Sequence, residues 1–158
     1  MSEEVFQVAR NVFGRYGVFF KMVAEEIGAE KALELHAKAH EMMGVDTANT
    51  IRKKMGDRQY DLATLGPLLR DGNVSHGLET EMALTPSSVI LRNSRCPVYD
   101  GYRMAGLDNE ICKALCQKGA IAKIGTTVRL LNPNLSYELV NYRSEPTERC
   151  VEEIKPRK

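Results

Sequence analysis

Between residues 5 and 27 the apolar side chains Val5, Val8, Val12, Tyr16, Phe19, Val23 and Ile27 recur at steps of three and four, the spacing of one helical face. Gly14 and Gly17 fall inside that run and mark a bend or a close helix contact; Gly28 reads as its C-terminal stop. A second helix is predicted over 29–43 from Ala32, Leu35, His36, Ala39, Met42 and Met43, closed by Gly44. A third, short one runs from Asp46 or Thr47 to Met55. Residues 60–71 keep helical spacing through Leu62, Leu65, Leu68 and Leu69. There Gly66-Pro67 is expected to kink or restart the helix, because proline removes a donor and crowds the preceding turn.

After Asp71-Gly72-Asn73 the period shortens from about 3.6 to about 2. In 76–85, Leu78, Met82 and Leu84 alternate with Glu79, Glu81 and Ala83, the pattern of a strand with one wet face. Thr85-Pro86-Ser87-Ser88 is turn chemistry, and Val89-Ile90-Leu91 begins a return strand ending at Cys96, which makes a hairpin. A helix over 108–117 is capped by Asp108 and stopped near Gly119. Ile121, Ile124, Val128 and Leu131 continue at helical spacing to Asn132-Pro133-Asn134. Strands over 135–143 and 148–155 flank a turn at Ser144-Glu145-Pro146-Thr147. The fold class is therefore α+β, one domain over 1–158: a helical N-terminal half (1–71), then a four-stranded antiparallel sheet of two hairpins (72–158) with a cysteine-bearing helix between them.

Size and charge narrow the function. A chain of 158 residues can bury a core without disulfide staples. A formal net charge of +1 gives no general attraction to nucleic acid or an anionic membrane, so neither is an expected partner. The start Met1-Ser2-Glu3-Glu4 is acidic where a secretory signal would be basic, and no apolar run reaches a membrane-spanning length, so a cytoplasmic location is expected. In a reducing compartment the four cysteines are free, metal-bound or catalytic rather than cross-linked.

Cys112 and Cys116, four apart on the predicted helix, share a face; Cys96 ends a strand just before it, and Cys150 lies on the last strand. Thiolates from these elements can converge on a soft ion such as Zn²⁺ or on an iron-sulfur cluster. The same residues also fit burial as small hydrophobes, or a nucleophilic or redox role. A reactive thiol needs a depressed pKa, which Arg95, Arg103, Lys113 or a helix N-terminus near Asp108 could supply. His36 and His40 share a helix face, but Ala37 stands where a metalloprotease helix has glutamate, so they read as polar residues at a core edge, as does the lone His76. There is no Gly-rich phosphate loop and no Gly-x-Ser-x-Gly elbow. Glu25, Glu26, Glu30, Glu34, Glu79 and Glu81 fit solvated faces.

The run Val89-Ile90-Leu91-Arg92-Asn93-Ser94-Arg95-Cys96-Pro97-Val98, the segment 110–116, Asn132-Pro133-Asn134-Leu135 and the hairpin ending at Cys150 together resemble the L-2-amino-thiazoline-4-carboxylic acid hydrolase-like family. Cys96, Cys116 and Cys150 occupy matching cysteine positions, and Cys112 is an addition. Related sequences often carry a Gly-Asp step before the last cysteine, where this chain has Pro146-Thr147-Glu148-Arg149. The outline is also similar to 4-vinyl reductase-type small-molecule-binding domains, some of them sensors with a cysteine-bound zinc.

The resemblance implies water attack on the amidine-like carbon of a cyclic aminothiazoline, opening it to an N-carbamoyl cysteine. It makes Cys96, Cys116 and Cys150 the expected catalytic residues and Arg95 or Arg103 the expected grip on the substrate carboxylate. Zinc or another thiophilic metal held by Cys96, Cys112, Cys116 and Cys150 would activate the water and accept the sulfur. The sensor-like relatives imply instead a non-catalytic small-molecule- or metal-binding domain. A homodimer through the helical half is compatible with either reading.

Overall fold

Gly28, at φ 87°, turns the chain between two long helices, α1 (Glu3–Ile27) and α2 (Ala29–Met55). They fold back on each other, bringing Tyr16 against His36. The computed structural model describes residues 3–157. After α2 come α3 (Leu62–Ser75), the hairpin β1 (Glu79–Leu84) and β2 (Val89–Arg95), and the short α4 (Pro97–Met104). Then α5 (Asn109–Ala120) runs through a π-helical turn (Ile121–Gly125) into α6 (Thr126–Leu131), and β3 (Leu135–Asn141) and β4 (Cys150–Pro156) close the chain. The four strands form one antiparallel sheet in the order β1-β2-β4-β3, so each hairpin stays together and β2 meets β4 at the centre. The α+β class, the helical first half and the four-stranded antiparallel sheet are as the pattern predicts; α5, between the hairpins, carries Cys112 and Cys116.

Three boundaries differ, each for a physical reason. The second helix does not stop at Gly44 but absorbs the predicted third helix. A β-carbon at Gly44 would strike the backbone oxygen of Lys123, and Thr127 Oγ1 donates to the Gly44 carbonyl at 3.1 Å, so this glycine marks close helix packing rather than a terminus. Gly44→Val is expected to cost about 2 kcal/mol through overpacking, seen as a lower melting temperature. Nor does Gly66-Pro67 restart the helix: α3 is continuous through Pro67, because the carbonyl freed by the missing N–H belongs to exposed Ala63, where water can satisfy it. Capped by Asp61, whose side chain accepts from Thr64 N at 2.8 Å, α3 runs past Gly72 to Ser75 and leaves β1 shorter than expected. α5 does end beside Gly119, at Ala120, but the chain passes straight into the π-helical turn without a break, and a β-carbon at Gly119 would lie 2.6 Å from His36 Nε2, so packing again requires glycine.

The face of α1 is the larger correction. Its predicted apolar stripe faces solvent over much of its length, with Val8, Val12 and Phe19 exposed, while Phe6, Gly14, Gly17 and Phe20 are buried. Gly14 and Gly17 lie under α4, and a β-carbon at Gly101 of α4 would sit 2.8 Å from Gly14 N. The helix therefore turns Gly14 and Gly17, with Phe6 and Phe20, inward to admit a close neighbour.

The sheet packs its inner face on the helices through two apolar groups. One gathers Val89, Leu91 and Ile154 of the sheet with Leu65, Val128, Leu131 and Tyr137. The other gathers Phe20, Cys96, Tyr99, Tyr102, Cys112, Leu115 and Tyr142. In register, Glu152 lies opposite Leu91 of the first group on one side and Leu139, packed on the second, on the other. The outer face is wet, laced by Arg149 with Glu81 at 3.0 Å and by Lys155 with Glu138 and Glu153 at 2.8 Å.

Candidate functional site: a thiol and carboxyl cluster under the sheet

Strand alternation places Cys150, Glu152 and Ile154 on one face of β4, beside Asn93, Leu91 and Val89 of β2. Most of these positions are apolar, as an inner face requires; Asn93 at 1% exposure and Glu152 at 6% are not. Thr80 Oγ1 donates to Asn93 Oδ1 at 2.6 Å, and Asn93 Nδ2 donates to Glu152 Oε1 at 2.8 Å. Glu152 Oε2 is buried with no partner among the described residues. Burial pushes the Glu152 carboxyl up to about 7, with the Asn73 and Asn93 amides pulling the other way.

The thiols gather beside it. Cys96 ends up as the N-cap of α4, a helix the hydrophobic pattern does not announce, although Pro97 at its first position is a start signal. Cys96 and Cys112 are buried with Tyr99, Tyr102 and Tyr142, and Cys116 and Cys150 pack against the same group. All four are free thiols. Burial dominates their chemistry: it pushes Cys96 up to about 12, although the Val98 and Tyr99 amides and the Arg143 cation favour its thiolate. Cys116 is raised well above the ordinary range by burial and then by the neighbouring thiols, and Cys112 and Cys150 are raised mainly by burial. Of the expected sources, the Arg103 cation favours the Cys112 thiolate, while at Cys96 it is the amides of the unpredicted α4 that do so; burial outweighs both. Each thiol carries its proton at neutral pH.

Around this cluster the hydroxyls of Tyr137 and Tyr142 are buried without a partner among the described residues. Burial raises both phenols, that of Tyr137 well above the ordinary range, so they stay protonated donors. A shift in register between Leu139 and Asn141 leaves Val140 and Asn141 exposed, while Tyr142 and Arg143 after them are buried. Arg143 is 1% exposed and pairs with no carboxylate among the described residues. Its Nη2 donates to the carbonyls of Ser94 at 2.7 Å, Pro146 at 2.8 Å and Glu148. Its guanidinium lies 5.3 Å from the Tyr99 ring centroid, and its backbone N–H approaches Cys150 Sγ at 3.5 Å. Arg143 thus ties the β3–β4 connection to the end of β2 beside the thiols.

Of the two arginines expected to grip a carboxylate, the Arg95 side chain lies away from the thiols and Arg103 borders Cys112. Arg95 is held by Glu3 at 2.8 and 3.0 Å and stacks 3.6 Å from the Phe6 ring centroid, pinning the start of α1. Arg103 donates to the Leu107 carbonyl at 2.9 Å and lines a surface cleft. His36 bridges three helices. Leu115 O can only accept, so Nε2 carries the proton and donates to it at 3.0 Å, which leaves Nδ1 to accept from Tyr16 Oη at 2.7 Å. Both ring nitrogens being engaged, His36 reads as a satisfied core histidine, and His40 Nδ1 pairs with the His36 carbonyl at 3.0 Å.

A soft metal suits the thiol chemistry, yet among the described residues no three His, Cys, Asp or Glu side chains are arranged to hold an ion. Among the described residues no helix is long and apolar enough to cross a membrane. No family model, curated protein or solved structure matches the chain.

The elements sequence reasoning missed are Glu152, Asn93 and Arg143. Their signal was present in the alternation itself: Asn93 and Glu152 occupy the parity of Leu91 and Ile154, and a polar residue at an inward parity is the anomaly to ask about.

Proposed function

We propose that the chain is a small-molecule hydrolase of the aminothiazoline type, working in the cytoplasm, in which Glu152 handles the protons of the attacking water. The observation that supports this reading is Glu152 itself: a buried carboxyl raised to about 7, held through one oxygen by Asn93, with the Asn73 amide beside it. A group so poised can both take and return a proton at neutral pH. The water oxygen bonds to the amidine-like carbon while its proton passes to Glu152. The remaining hydroxyl proton passes to the amidine nitrogen that took up the carbon–nitrogen π pair, the carbon–oxygen double bond forms, the carbon–sulfur bond breaks with its electron pair going to sulfur, and Glu152 returns its proton to that sulfur, giving an N-carbamoyl cysteine. The free hydroxyls of Tyr137 and Tyr142 are the donors available to charge developing at the reacting carbon. Cys96, Cys116 and Cys150 wall this site as neutral thiols. A homodimer would bring a second copy against the exposed Val12 and Phe19 of α1.

A second reading, a binding domain without turnover, draws its support from the thiols, since protonated thiols are poor nucleophiles and a soft metal would have to displace their protons. One experiment separates the two. Thiol release from L-2-aminothiazoline-4-carboxylate is followed for the wild type, Glu152→Gln and a Cys96→Ser, Cys150→Ser double variant, with zinc measured on each sample. Hydrolysis predicts release by the wild type, with a rate that climbs through about pH 7 and falls about 10²- to 10⁴-fold in Glu152→Gln. No release by folded wild type, together with about one zinc per chain lost in the cysteine variant, moves the function to the binding reading.

A further inference from the structure

A cleft of about 460 Å³ opens where α1, α4, the start of α5 and the β3–β4 connection meet, lined among others by Arg10, Tyr99, Asp100, Arg103, Asn109 and Glu145. The buried carboxyl and the four thiols do not line it, although Arg103 and Tyr99, which do, border Cys112 and Cys96 from the other side. Tyr99 forms one wall, its hydroxyl already donated to the Ser144 carbonyl at 3.0 Å.

Two atoms of the lining residues are buried with no partner among the described residues: the Arg10 Nε, a donor, and the Asn109 Oδ1, an acceptor. Buried polar groups are satisfied in folded proteins with few exceptions; neither atom is open to the empty cleft, so each is met when its half-buried side chain turns toward a ligand that offers both an acceptor and a donor. Charge agrees. Arg10 and Arg103 bring two cations, Asp100 and Glu145 two anions, and none of the four makes an ion pair among the described residues. A ligand with a single charge would satisfy half of such a site and be repelled by the other half.

We propose that this cleft binds a free α-amino acid. Its carboxylate is taken by the Arg10 and Arg103 guanidiniums, whose planar forks match it. The ammonium is taken by Asn109 Oδ1 with Asp100 and Glu145, and the side chain lies along the Tyr99 ring and Met104. This site is separate from hydrolysis at Glu152 and uses none of its chemistry.

The test is calorimetric titration of the full chain with L-alanine, L-phenylalanine, L-glutamate and L-lysine in turn. Whichever saturates is then compared with its methyl ester, which lacks the carboxylate charge, and with its des-amino acid, which lacks the ammonium. At least one amino acid is expected to saturate, and each analogue to bind weaker by about tenfold or more. Arg10→Gln is expected to lose binding to the same degree with an unchanged melting curve; should that variant not fold, Arg103→Gln, on an exposed residue, carries the same expectation. Glu152→Gln is expected to bind as the wild type does, so failure of the hydrolase leaves this site standing and failure of this site leaves the hydrolase standing. No saturation by any of the four, equal binding of an analogue, or undiminished binding in a folded arginine variant overturns the proposal.

Discussion

Arg143→Met is expected to destabilise the protein by about 3 kcal/mol, read as a lower urea midpoint with an unchanged slope. The obvious counter-argument is that removing a buried charge with no carboxylate beside it should help, since the desolvation of a cation is costly. Here the charge is already compensated by three carbonyl oxygens and the face of Tyr99. Methionine fills similar space but leaves those oxygens without their donor. Pro146 and Glu148 are exposed and can recover water, but only by abandoning the turn that Arg143 fixes; the Ser94 carbonyl, at the end of β2 beside Cys96, has less freedom. Arg143→Lys should recover part of the loss, because an ammonium keeps the charge but not the fork. A methionine variant as stable as wild type would remove Arg143 as the organiser of this end of the sheet.

The same residue shows where sequence reading ends. The change of period near residue 72 locates the passage from helices to sheet, and the turn residues at 85–88 and 144–147 locate both hairpins, because these are local properties of the chain. Which face of α1 turns inward is not local. The stripe through Val8, Val12 and Phe19 has helical spacing, yet the contact with α4 decides orientation, and only small residues at 14 and 17 allow that contact. The segment α4 was missed for the opposite reason: with few large hydrophobes, its only announcement is Pro97 after Cys96.

The cysteines could be proposed as neighbours from their places on β2, α5 and β4, and they share one packed group. Their protonation could not be read, because it depends on how completely the fold removes water from them. Glu152 makes the point from the other side: as a lone carboxylate in Glu152-Glu153 it looks like surface, and only the pairing of β4 between β2 and β3 shows that one glutamate faces in and the other out. Glu153 reaches Lys155 at 2.8 Å on the wet face, while Glu152 is left in the interior with an amide.

That interior position predicts an unusual dependence of stability on pH. The Glu152 carboxyl is raised from 4.5 to about 7, so between those values the folded state holds a proton that the unfolded chain has released. By linkage, stability contributed by Glu152 is fully present below pH 4.5 and is lost as pH rises through about 7, a change of about 3 kcal/mol for a shift of this size. His36 works in the opposite sense. At 3% exposure, with burial and the nearby His40 pushing it down to about 4, it contributes stability that is present above its ordinary 6.5 and lost as pH falls through about 4. The two windows overlap almost completely and oppose each other, so the wild type should show a shallow profile across them. Glu152→Gln removes one arm: its unfolding free energy should rise steadily from about pH 4 to about pH 6.5 and then level, with the largest gain over wild type above pH 7. His36→Gln exposes the other arm, with stability falling over the same range. Urea unfolding at half-unit steps of pH on the three proteins checks both signs, and a Glu152→Gln profile parallel to wild type would mean that the carboxyl is solvated and that its role in proton transfer is lost with it.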